Sequence, residues 1–92
     1  MFVAFYRRAT KWSDSAVREE AVLRQREYMS EGARRGLVLR AGGLGGDGEF
    51  LVTLVAPSMT VAQRFIARDP SVKSGVYLAS VRRFESDYVS RA

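Results

Sequence analysis

Short apolar runs and longer stretches with a helical repeat alternate along the chain. Phe2 to Arg7, "FVAFYR", is rich in aromatic and branched residues and predicts a strand. A polar stretch around Trp12 follows. Ser13 or Asp14 can then accept the free amides of a first helical turn, which predicts a helix to about Arg35. Glu20–Arg24 and Glu31–Arg35 stand four apart and support that helix, whereas Glu27–Glu31 is a mild like-charge conflict. Gly36 ends it, and "LVLRA" predicts a second strand. "GGLGGDGE", with Asp47-Gly48, makes the turn into "FLVTLVA", the third strand. Pro57 and Ser58 open a helix "MTVAQRFIAR", with Met59, Ala62, Phe65 and Ile66 on one face. Asp69-Pro70 closes it and starts one more turn, "PSVKS", stopped by Gly75. "VYLASVRRF" is the fourth strand and "ESDYVSRA" a tail.

Strand, helix, strand, strand, helix, strand is the order of a ferredoxin-like α+β sandwich, with both helices on one face of an antiparallel sheet. Its 92 residues predict a single domain, 1–92. A sheet with one face in water alternates apolar and polar residues. Here residues 2–6 and 50–56 are nearly continuous apolar runs, which implies that both faces are covered. The simplest cover is the same face of a second copy, giving a two-fold homodimer with sheets packed face to face.

Composition narrows the chemistry. Apolar residues are 47% and charged residues 27%, the mix of a soluble globular protein. No cysteine is present, which excludes thiol catalysis and fits a reducing cytoplasm. Nothing resembles a signal peptide or the roughly 20 apolar residues of a membrane span. The net charge of +5 comes from arginines scattered from Arg7 to Arg91, which reads as solvated surface rather than a nucleic-acid footprint. RNA-recognition modules share this topology, but the third strand has one aromatic residue and no basic-Gly-aromatic start.

Without histidine a Ser-His-Asp triad is impossible, and only oxygen ligands remain for a metal; no cofactor is expected. Gly43, Gly45 and Gly48 satisfy G-x-G-x-x-G by spacing, but a strand follows where a dinucleotide site needs a helix. Gln25 is more informative. At about 100° per residue, Val17, Ala21, Tyr28, Gly32 and Met29 form one arc of the first helix, and Gln25 falls inside it. It is either a core amide satisfied locally or a polar group lining a cavity under the helix; Arg18, nearby on the wheel, can snorkel out. Asp69 is either a helix cap before Pro70 or a functional carboxylate. Tyr6, Trp12, Tyr28 and Tyr77 suit a core or interface, and Arg40, interrupting the second strand, suits an anionic ligand or an ion pair.

"DPSVKSGVYLASVRRF" and "GLVLRAGGL" carry a resemblance to the YCII-related family, small ferredoxin-like proteins similar to the muconolactone isomerases. The first matches the family's Asp-Pro-x-Val-x-x-Gly run, and the second its Gly-Arg-Leu-Leu-x-Ala-Gly-Pro-Leu. The resemblance implies a homodimer, a pocket between helices and sheet for a small organic metabolite, and a His–Asp pair for proton transfer. Lyase-, isomerase- or cyclase-type chemistry on aromatic-derived, lactone-like or enolisable compounds follows from it. Asp69 falls on the family aspartate. The histidine position, eleven residues before Gly36, is Gln25, with the expected aromatic three residues on at Tyr28. Glutamine cannot shuttle a proton near neutral pH. The expectation is therefore Asp69 as base and Gln25 as polar partner, with Arg40, Tyr6, Tyr77 and Tyr28 lining the pocket. The alternative is a non-catalytic ligand-binding or accessory dimer.

Overall fold

The computed structural model describes residues 1–46 and 48–90. Strand β1 (Phe2–Arg8) leads through a 3-10 turn (Thr10–Ser13) into helix α1 (Ser15–Arg34). Strands β2 (Val38–Gly43) and β3 (Phe50–Leu54), helices α2 (Met59–Ala67) and α3 (Pro70–Lys73) and strand β4 (Tyr77–Arg83) complete the chain. The sheet is antiparallel in the order β2-β3-β1-β4. This is the ferredoxin-like α+β topology.

Local chemistry sets the helix ends. The side chain of Asp14 caps α1 by accepting from Val17 N at 3.2 Å, and Ser58 caps α2 through Val61 N, also at 3.2 Å. Both α1 and α3 end in the same device. Gly36, at φ 78°, and Gly75, at φ 79°, take the left-handed conformation that a side chain disfavours. The next amide then reaches back to the last turn: Leu37 N to Gly32 O, and Val76 N to Ser71 O. Each glycine launches an apolar strand, so the resemblance between "GLVL" and "GVYL" is one physical motif used twice. The Glu20–Arg24 pair forms as expected at 2.8 Å, but Glu31 pairs with Arg34, three residues on, rather than with Arg35.

The core lies between helices and sheet. Phe2, Ala4 and Tyr6 of β1, Val52 and Leu54 of β3, and Tyr77 of β4 meet Ala21 and Met29 of α1 and Ala62, Phe65 and Ile66 of α2. Gly32 lets α1 come close: a Cβ there would stand 2.7 Å from the Phe65 ring and 2.8 Å from Val38. On the other face of the sheet no element of the described residues packs. Phe5 and Leu78 are 47% and 53% exposed there, beside half-buried Val3 and Leu51. The apolar runs of β1 and β3 thus supply one face that the chain covers and one that it does not. Asp47, half of the expected Asp-Gly turn, and residues 91–92 of the tail lie outside the described residues. Among those described, no helix is long and apolar enough to cross a membrane.

Candidate functional site

Three elements meet around a buried carboxylate. Asp69 ends the α2 segment and caps α3: its Oδ1 accepts from Ser71 N and from Ser71 Oγ, both at 2.8 Å. Its Oδ2 accepts from the Tyr6 hydroxyl of β1 at 2.7 Å and from Gln25 Nε2 of α1 at 3.4 Å. Gln25 Nε2 also donates to Ser71 Oγ at 3.1 Å. Asp69 and Ser71 are fully buried and Gln25 is 4% exposed. Four donors on one carboxylate are what a charge withdrawn from water requires.

The tyrosines around this centre are held in their neutral form. Burial above all, then the negative charge of Asp69 and the hydrogen bond to it, push the Tyr6 hydroxyl far above its usual range. Burial, again followed by the charge of Asp69, raises Tyr28 and Tyr77 as well, with Arg68 and Arg35 opposing the rise at Tyr28. Tyr77 packs edge-on to Tyr6 with ring centroids 5.4 Å apart, and Phe50 does so at 5.6 Å. The Phe50 and Tyr77 rings lie 6.3 Å from each other, so the three form one cluster.

Gln25 faces two ways. Its amide nitrogen belongs to the buried cluster, and the residue also lines an open cleft of about 410 Å3 between α1 and the β2 edge of the sheet. Val22, Met29, Val38, Ala41 and Phe50 give the cleft apolar walls, and Arg26 and Arg40 are its charged members. A flat, largely apolar molecule with one anionic or strongly polar group matches such walls.

The expected site residues divide accordingly. Gln25 and Arg40 border the cleft, and Asp69 stands behind Gln25 without reaching it. Arg40 pairs in register with Thr53, and Thr53 with Val3, on the helix-free face of the sheet, so Arg26 is the cation on the helix side. The three tyrosines do not line the cleft. Tyr6 is spent on Asp69, Tyr77 is buried against Tyr6 and Trp12, and Tyr28 stacks on Phe65 and donates to its carbonyl at 2.7 Å. Arg18, expected to snorkel out, instead lies half-buried over the Trp12 ring at 5.4 Å and donates to Trp12 O at 2.7 Å. Sequence reasoning missed Ser71 and Arg26. A serine after Asp-Pro is ordinary turn composition, and Arg26 is one of many arginines. Among the described residues no three acidic side chains converge where a metal ion could be held.

Fold and cleft together define a ferredoxin-like α+β protein with a small-molecule-sized cleft backed by a buried Asp–Ser–Tyr–Gln cluster. No family model matches the chain, and no curated protein matches it. Among solved structures it is similar to 5-chloro-2-hydroxyhydroquinone dehydrochlorinase (TftG) from Burkholderia phenoliruptrix AC1100, in complex with 2,5-dihydroxybenzoquinone. The TM-score is 0.66 at 23% identity, over 92% of this chain and 94% of that one. That likeness is one of fold.

Proposed function

We propose that this protein binds a small, flat, aromatic-derived or lactone-like metabolite in the cleft between α1 and β2. The observation that carries the reading is Gln25, a polar side chain at an otherwise apolar wall, held from behind by a buried carboxylate. The dehydrochlorinase of the same fold is named for a chlorinated hydroxyhydroquinone and holds a dihydroxybenzoquinone, which supports a ring of that size and polarity.

Two chemical forms of this proposal differ in what Asp69 does. In the enzymatic form the protein is a lyase, isomerase or cyclase, and Asp69 takes a proton from an enolisable or phenolic substrate. That requires the Gln25 side chain to swing aside, because Asp69 is buried and four donors already stabilise it. In the binding form Asp69 only orients Gln25. The closed geometry favours binding: Asp69 is buried behind Gln25, and the charged groups that line the cleft itself are Arg26 and Arg40 rather than a carboxylate. The helix-free sheet face completes the proposal. We take a second copy as its cover, since Phe5 and Leu78 form an apolar centre and Arg7 and Glu49 bring opposite charges to the same depression.

The test is a binding and conversion screen of hydroquinones, quinones and lactones, read by thermal shift and then by mass spectrometry. Saturable binding without a mass change establishes the binding form. Conversion by wild type but not by Asp69→Asn establishes the enzymatic one. Gln25→His, which puts a proton carrier beside Asp69, is expected to keep ligand binding and tests whether that single group limits turnover. A screen with no hit at millimolar concentration in any of the three proteins sinks the reading.

A further inference from the structure

The buried carboxylate imposes a direction on every hydrogen bond around it, and that direction extends to the cleft. A carboxylate accepts and does not donate. The Ser71 hydroxyl has one proton, and it goes to Asp69 Oδ1 at 2.8 Å, so toward Gln25 the same oxygen is an acceptor. The Gln25 terminal amide therefore faces two acceptors, Ser71 Oγ at 3.1 Å and Asp69 Oδ2 at 3.4 Å. Exchanging its nitrogen and oxygen would set the carbonyl against the carboxylate. Both N–H protons are committed inward. Among the described residues no donor reaches Gln25 Oε1, and no buried side-chain nitrogen or oxygen lacks a partner. Oε1 is thus the atom that opens toward the cleft which Gln25 lines.

We infer that the cleft is an acceptor site: it selects ligands that bring a phenolic or enolic hydroxyl to Gln25 Oε1, with an anionic group directed at Arg26. Asp69 and Ser71 are positioning residues that lock the amide in this orientation. The inference rests on the small-molecule reading above and adds to it the polarity of the recognised group. A hydroxyl can donate to Oε1. An ether or a quinone carbonyl at the same place sets acceptor against acceptor and leaves both unsatisfied.

Two measurements test it, the first without any ligand. The chain has two glutamines, Gln25 and Gln63, and no asparagine, so its nitrogen NMR spectrum holds two side-chain amide pairs. Gln63 is exposed. The Gln25 pair is expected to exchange with solvent at least about tenfold more slowly than the Gln63 pair. Equal rates overturn the lock, whatever the cleft binds. The second measurement titrates 4-hydroxybenzoate and 4-methoxybenzoate, which share the anion and differ in the donor. The hydroxy compound is expected to bind about tenfold more tightly and to shift the Gln25 amide signals. Gln25→Met should bring the two within about twofold, and Ser71→Ala should narrow the preference while the ether still binds. Equal binding in wild type overturns the inference but leaves the small-molecule cleft standing. Binding of neither overturns both.

Discussion

At the scale of single residues, Tyr6 joins the site to the fold. Its hydroxyl supplies one of the donors that make a buried Asp69 tolerable, and it reaches across 63 positions of sequence to do so. Replacing it with Phe withdraws that donor and leaves Oδ2 with only the longer contact from Gln25. The expected loss is roughly 1–3 kcal/mol at neutral pH. The pH dependence has a definite sign. Burial and the Asp69 charge raise the folded hydroxyl above the 10.0 of an ordinary tyrosine. The contribution is therefore complete below about pH 10, and above it the unfolded chain sheds a proton that the folded chain keeps. For Tyr6 stability then falls by up to about 1.4 kcal/mol per pH unit. Denaturant titrations between pH 8 and pH 11 should show a shallower alkaline slope for Tyr6→Phe than for wild type, with Tyr28 and Tyr77 supplying the remainder. Identical slopes would remove Tyr6 from the account. The legibility of the cluster differs residue by residue. Gln25 stands out because local periodicity places it on an apolar arc, and Asp69 because Asp-Pro is a capping pair. The partnership of Tyr6 with Asp69 is set by where β1 lies relative to the junction of α2 and α3, which no local pattern contains.

Among the elements, the two glycine-ended helices are the part most fully written in the sequence. Gly36 and Gly75 each follow a helical repeat and precede an apolar run, and a left-handed stop is the one local conformation that serves both. Strand and helix limits follow within a residue or two for the same reason. Gly32 is different, because its role lies in what faces it. In isolation a helical glycine is a weakness, and alanine would be expected to gain about 1 kcal/mol. Here the added methyl would stand 2.7 Å from Phe65 and 2.8 Å from Val38, and Phe65 is already pinned by stacking on Tyr28 at 4.7 Å. Overpacking of this kind costs roughly 1–3 kcal/mol, so Gly32→Ala is expected to lower the thermal midpoint rather than raise it. Because α1 carries Gln25, the same substitution should also weaken ligand binding in the cleft. A midpoint equal to or above wild type would mean that α1 and α2 can separate without loss, and that the cleft wall is softer than its packing suggests.

For the whole molecule the open question is what covers the second face of the sheet. The apolar runs of β1 and β3 already demand a covered face on each side, and the fold satisfies one of them. Phe5 pairs with Leu51 across β3 and with Ser80 across β4, so it stands at the middle of the uncovered face, and Leu78 flanks it opposite Arg7. An apolar patch of this kind on a small domain is either an interface or an aggregation hazard. A stable pairing of two copies requires roughly 1,200–2,000 Å2 of total buried surface, which calls for most of both sheets. Light scattering behind size exclusion is therefore expected to give the mass of two chains at micromolar concentration. Phe5→Lys should give the mass of one, because burying an unpaired charge at the centre of a two-fold interface places two of them together. Phe5 is 47% exposed and its side chain makes no part of the helix-facing core, so the far-ultraviolet spectrum of the variant should stay that of wild type. Since the cleft opens on the opposite side of the sheet, the separated chain should also keep its affinity for 4-hydroxybenzoate. A wild-type chain that runs as a monomer would leave the apolar face to a different partner. A monomeric variant that loses the ligand would mean that the second copy completes the cleft.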